Sequence, residues 1–258
     1  VPHEPAGDGS ADDKAVCTMM RLDKFLAHAG FGTRKEVKEL VRKGRVEVNG
    51  QRVKKDDQKI DERQDQIQVD GRIVTYETEV YIMLNKPQGV VSATEDSRYE
   101  TVLDCLETNR SDLFPVGRLD IDTEGLLLIT NDGALAHDLL SPKKHVDKTY
   151  EVHLERPWDP QYEAAIQTGI RISDEEVCLP ATLRQTAEHV ILLTIQEGKF
   201  HQVKRMMHAC DNEVVYLKRL TMGPLKLDAA LQPGQWRNCT PQEIEALKNH
   251  KKAENEIV

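Results

Sequence analysis

The chain has 258 residues, 39% hydrophobic and 31% charged, with a formal net charge of −9. This is ordinary folded composition with room for one large domain or two unequal ones. No apolar run approaches the roughly 20 residues of a membrane helix, and no apolar signal core is visible near the start, so no membrane partner is expected. Residues 1–19 are rich in Gly, Asp and Pro without periodicity and read as a disordered extension.

From Met20 to Glu77 the pattern is that of a small α/β module. Leu22, Phe25, Leu26 and Ala29 fall on one helical face, and Gly30 stops that helix. Thr33 and Glu36 have capping-box spacing and open a second helix that buries Val37, Leu40 and Val41. Its other face carries Arg34, Lys35, Lys38, Arg42 and Lys43. Val46 and Val48 alternate as a strand, Asn49-Gly50 predicts a hairpin and Val53 begins the return. Ile67 and Val69, then Ile73 and Val74, read as strand fragments across the Asp70-Gly71 turn. Between Met20 and Ile60 twelve Lys/Arg stand against six Asp/Glu, a local +6 that leaves −15 for the remainder. A basic module on an acidic body suggests that the module meets a polyanion and the body does something else.

The second region, residues 79–248, mixes strands and helices without βαβ alternation, which predicts an α+β fold. Strands are expected at Val80–Leu84 before Lys86-Pro87, at Leu126–Ile129 before Asn131-Asp132-Gly133, at Thr149–Leu154 and at Val190–Ile195. Helices are expected at Ala134–Leu140, Gln161–Gly169 and His201–Ala209, with a last one started by Thr240, Pro241 and Glu243. Residues 249–258 read as a polar tail.

Cys17, Cys105, Cys178, Cys210 and Cys239 form no Cys-x-x-Cys pair and are odd in number. A zinc or disulfide framework is not expected, and a reducing cytoplasm is. There is no phosphate loop, no His-Glu-x-x-His and no Gly-x-Gly-x-x-Gly, so no metal and no cofactor is expected.

Three stretches could carry chemistry. Gly117-Arg118-Leu119-Asp120-Ile121-Asp122-Thr123-Glu124-Gly125 sets three carboxylates on a glycine-bounded segment before a buried strand. Lys148-Thr149-Tyr150 begins a half-buried strand, and Glu197 to Met207 feeds a turn into a helix bearing Lys204 and Arg205. Taken singly, these would be a solvated acidic turn, a core tyrosine and an amphipathic helix.

Together with Leu84-Asn85-Lys86-Pro87, they resemble in order and context the pseudouridine synthases, in the branch acting on single uridines of ribosomal RNA. The amino-terminal module resembles an S4 RNA-binding domain through Arg21-Leu22-Asp23-Lys24-Phe25-Leu26 and Arg45-Val46-Glu47-Val48-Asn49-Gly50. The resemblance implies a small S4-like α/β module (20–77) followed by a mixed-sheet catalytic domain (79–248). It implies Asp120 as the catalytic aspartate and Tyr150 as the tyrosine that packs on the target base. Arg205 is the first choice for the cation beside Asp120 and Lys204 the alternative, because the two are adjacent. Arg21, Lys24, Arg34, Lys35, Lys38, Arg42, Lys43 and Arg45 are expected to meet RNA. Lys86 and Arg118 are expected to serve as phosphate or loop-positioning groups. His201-Gln202-Val203 resembles the small-subunit enzymes of the RsuA-type family, which implies the uridine at position 516 of 16S ribosomal RNA. The expected partner is that RNA, or a partly assembled small subunit, met by a monomer. The readings held against this are a large-subunit (23S) synthase of the same branch, a non-catalytic S4-type RNA-binding protein, and a two-carboxylate hydrolase. The hydrolase fits poorly, because Asp120, Asp122 and Glu124 share one loop, whereas such chemistry needs carboxyls on opposite sides of the bond.

Overall fold

A computed structural model describes residues 19–62, 64–75, 79–108 and 110–250. The expectations for residues 1–18 and 251–258, and for the end of the first module at residues 76–77, lie outside these. The chain forms two compact units, Val1–Thr78 with Thr108–Arg110 and Glu79–Glu107 with Ser111–Val258.

The first unit contains β1 (Met19–Arg21), α1 (Leu22–His28), α2 (Arg34–Arg42), β2 (Val46–Val48), β3 (Gln51–Arg52), β4 (Lys59–Asp61), β5 (Ile67–Val69) and β6 (Arg72–Ile73). Strand β1 pairs with β4, so Met19, read as part of the extension, lies in a strand. The other four strands form a sheet in the order β3-β2-β5-β6. Asn49 and Asp70 open their hairpins with φ near 52°, each followed by a glycine at positive φ, as a primed turn requires. Thr33 Oγ1 accepts the Glu36 N–H, and the Glu36 carboxylate accepts the Thr33 N–H at 2.7 Å, completing the capping box. Such a cap is worth about 1 kcal/mol. Leu22, Phe25, Leu26, Val37, Val41, Val46, Ile60 and Ile67 form the core. Arg34, Lys35, Lys38, Arg42 and Lys43 remain exposed on the outer side of α2.

The second unit contains β7 (Tyr81–Lys86), β8 (Phe114–Pro115), β9 (Glu124–Thr130), α3 (Gly133–Leu140), β10 (Lys148–Leu154), α4 (Glu163–Thr168), β11 (Thr182–Ala187), β12 (Val190–Ile195), α5 (Gln202–His208), β13 (Val214–Met222), β14 (Leu225–Lys226), β15 (Trp236–Asn238) and α6 (Pro241–His250). Its sheet runs β11-β12-β10-β13-β9-β7-β15, with β14 against β13 and β8 against β9. All pairs are antiparallel except β9 with β13, so the sheet is mixed, as expected. Apolar side chains of β7 and β9 alternate between two cores. Ile82, Leu84, Leu127 and Ile129 join α4 and α5 on one face. Tyr81, Met83, Leu126 and Leu128 join α3 and α6 on the other. No helix among the described residues is long and apolar enough to cross a membrane.

Strand β13 was not expected. It buries Leu217 and Arg219 but leaves Val215 exposed, so it lacks the clean alternation that marks a strand in sequence. Its parallel pairing with β9 forces the backbones together at Gly125. A Cβ there would lie 2.3 Å from the Arg219 carbonyl oxygen, and φ is 112°. Only glycine fits, which explains the residue that closes the acidic stretch.

Candidate active site

The loop ahead of β9 carries Asp120 and is tied down by backbone and buried side chains on either side of it. The Leu119 N–H donates to Ser92 Oγ at 3.0 Å, and that hydroxyl donates to the Leu119 carbonyl at 2.9 Å. The Gly89 N–H donates to the Ile121 carbonyl at 2.8 Å, and the Thr123 N–H donates to the Asp120 carbonyl at 3.0 Å. Lys86, fully buried, donates through Nζ to the carbonyls of Thr123 at 2.8 Å and Pro87 at 2.9 Å. None of these bonds uses the Asp120 carboxylate, which is therefore held in place and left available.

Of the two roles expected for Lys86, phosphate contact or loop positioning, its burial and its hydrogen bonds fit the second, and the phosphate contact is the part that needs correction. The last residue of β7, it lies inside the sheet at 0% exposure and acts on the loop. Burial lowers its pKa to about 8, against which the carboxylates of Asp122, Asp120 and Glu124 push upward. Lys86→Met is expected to lower stability by about 2 kcal/mol, because the buried Thr123 carbonyl and the part-buried Pro87 carbonyl lose their donor. It should also slow turnover by loosening the Asp120 loop. From about pH 8 to 10.5 the unfolded lysine keeps a proton that the folded one has lost. The Lys86 contribution to stability therefore rises with pH across that window. Chemical denaturation of both proteins at about pH 7 and about pH 9.5 checks this: the deficit of the variant should be larger at the higher pH.

The second wall of the site is α5 and the turn before it. Glu197 is nearly buried and accepts from the Gln202 amide at 2.8 Å, the Lys199 ammonium at 2.8 Å and the Leu179 N–H at 2.7 Å. The hydrogen bond from Lys199 to Glu197 holds the Lys199 pKa above its ordinary value. Val203, Met206 and Met207 anchor the helix in the core. That packing sets its azimuth and directs Lys204 to the Asp120 loop.

Lys204 Nζ lies 3.1 Å from Asp120 Oδ2 and 2.7 Å from Asp122 Oδ1. Burial pulls the Lys204 pKa down, but the hydrogen bonds to Asp122 and Asp120 outweigh it, so the net shift is upward. At Asp122 burial pushes the pKa up, and the Lys204 hydrogen bond and charge outweigh that, so the net shift is downward. Arg205, expected to be the partner of Asp120, instead pairs with Glu176 and donates to the Phe200 carbonyl. Adjacent helical residues point about 100° apart, and the core-facing side chains give the Asp120 direction to Lys204.

Tyr150, 8% exposed on β10, lines the same cleft as Asp120, Thr123, Leu217, Arg118 and Lys204. Arg118 is exposed at its edge. The motif segments that lie far apart in the chain thus meet in one place. Sequence reasoning did not assign three contributors. Ser92 gives no local signal. Gln202 and His201 fall within a recognised motif, but nothing in it reveals the left-handed backbone at His201 (φ 47°) that sets Nε2 3.5 Å from Asp120 Oδ1. Of the basic residues in the first unit, Arg21 pairs with Asp23 at 2.9 Å, Arg42 with Glu39 at 2.7 Å and Arg45 with Asp70 at 2.5 Å. Lys24 is half-buried.

A model of the RNA pseudouridylate synthase family matches residues 80–209, and a model of the S4 domain matches residues 20–65. Over 234 residues the chain is 51% identical to an uncharacterized RNA pseudouridine synthase, YtzG, of Bacillus subtilis, covering 88% of this chain and 98% of that one. It is 44% identical over 230 residues to the ribosomal small subunit pseudouridine synthase A of Vibrio cholerae, covering 88% and 99%. A crystal structure of a pseudouridylate synthase superimposes with a TM-score of 0.63 at 40% identity, covering 88% of this chain and 99% of that one.

Proposed function

Because this chain belongs to the RNA pseudouridylate synthase family and carries an S4 domain, we propose that it isomerises one uridine of 16S ribosomal RNA, with Asp120 acting on the ribose. The observation that carries the reading is the Asp120–Lys204 pair in a cleft whose wall includes Tyr150. The ribose C1′–N1 bond breaks, the ring turns in place, and C5 joins C1′ while the C5 proton leaves and N1 gains one. No atom is added overall. Asp120 serves as nucleophile at C1′ or removes the 2′ proton to give a glycal; both roles need an ionised carboxylate, and the Lys204 ammonium lies 3.1 Å from it. The target base leaves its stack and lies against Tyr150.

The small-subunit assignment rests on the His201-Gln202-Val203 start of α5 and on the similarity to an enzyme named for that subunit. The substrate is 16S RNA, free or in a partly assembled subunit, met in the cytoplasm by a monomer. Mapping pseudouridine in ribosomal RNA from cells lacking the protein, and after addition of the purified protein, tests this. One lost and restored position in 16S RNA is the expected result; a change confined to 23S RNA would move the assignment to the large subunit.

We assign affinity to residues 20–77 and chemistry to residues 79–248. Each phosphate contact steepens the log–log salt dependence of binding by about 0.7–0.9. Replacing Arg34, Lys35 and Lys38 of α2 with Gln should weaken RNA binding and flatten that slope, while bound RNA still turns over. Titrations at several salt concentrations, with single-turnover rates at saturating enzyme, check both halves. An unchanged slope would remove this face from the RNA interface.

A further inference from the structure

We propose that the stacked pair Phe200–His201 is a second base-binding surface, which takes the nucleotide flanking the target uridine and holds it outside the Asp120 cleft. This rests on the assignment of that cleft to the target uridine. Phe200 is 76% exposed, the highest value among the exposed large hydrophobic side chains, and it belongs to no core cluster. It nevertheless has a defined place, because its ring lies on His201 with centroids 3.8 Å apart and planes 18° apart. His201 has a left-handed backbone that favours glycine, and its Nε2 sits 3.5 Å from Asp120.

His201 and Lys204 border two spaces. One is the Asp120 cleft; the other is a groove of about 480 Å3 whose lining also includes Arg171, Asp174, Arg205 (paired with Glu176) and His208 (paired with Glu213). Arg171 is exposed and gives one N–H to the Asp174 carbonyl. Its guanidinium is suited to a phosphate oxygen. When one uridine is extruded, its neighbour loses a stacking partner, and an exposed aromatic face replaces that partner whatever the base. The aromatic pair beside the cleft and the exposed Arg171 guanidinium in the groove beyond it match a nucleobase and its phosphate.

The test uses an RNA fragment carrying the mapped uridine, from whichever subunit it proves to lie in, with 2-aminopurine placed in turn at each flanking position. The unaltered protein should quench the probe at one flank. Phe200→Ala should lose that quenching and weaken binding about 5- to 100-fold, the effect of removing one aromatic–base stack. Its saturated single-turnover rate should stay within about threefold, and Phe200→Tyr should restore both binding and quenching. Unchanged affinity and fluorescence in Phe200→Ala would overturn the proposal. A lower saturated rate at unchanged affinity would also overturn it, leaving Phe200 as a support for His201. Pseudouridine formation by the unaltered protein, measured alongside, separates these results from a failure of the underlying assignment, which would sink both.

Discussion

Asp120→Asn is expected to lower the single-turnover rate by at least about 10⁴-fold while leaving the fold and RNA affinity intact. The loop is held by Ser92 on Leu119, Gly89 on Ile121 and Lys86 on Thr123, none of which touches the Asp120 side chain. Asparagine has nearly the same shape, and Lys204 keeps its 2.7 Å hydrogen bond to Asp122. The lost quantity is the negative charge, which both the nucleophilic and the proton-abstraction routes require. Tritium release from RNA labelled at uridine C5, with thermal melting and RNA titration on the same preparation, separates chemistry from folding and binding. A folded variant turning over within about tenfold of the unaltered rate would end the assignment of Asp120.

Lys204→Met should cost more than Arg205→Met, by about 10² in the saturated rate against less than about tenfold. Breaking a fully buried pair costs about 3–5 kcal/mol. Lys204 and Asp120 keep 26% and 29% of their side-chain surface, so screening reduces this to about 2–3 kcal/mol. Without Lys204, Asp120 and Asp122 both lose the ammonium that contacts them at 3.1 and 2.7 Å, and the Asp120 carboxylate loses the cation that positions it. Arg205→Met removes the tie to Glu176, a contact outside the pair, and should leave the Asp120–Lys204 contact in place. Lys204→Arg should recover part of the rate because it restores the charge. The opposite ranking of the two Met variants would return the role to Arg205.

Local patterns in the chain were enough for much of this protein. The Thr33/Glu36 box, the Asn49-Gly50 and Asp70-Gly71 turns and the apolar runs of β7, β9, β10 and β12 are recognisable because each depends on neighbours only a few residues away. Asp120 and Tyr150 were legible as motif residues, and the break in charge between the two regions marked a basic module on an acidic body. Only the tertiary structure decided the rest. Strand β13 exists through its pairing with β9, more than 90 residues earlier, and with β10. Lys86 is a loop anchor because the sheet closes over it; the sequence left it open between a phosphate contact and a loop-positioning role. The choice of Lys204 over Arg205 follows from the rotation of α5, which Val203, Met206 and Met207 set by packing into a core built from distant strands. Helical periodicity gives the angle between adjacent side chains but not the direction of either, because that direction is measured against a surface supplied by the rest of the chain.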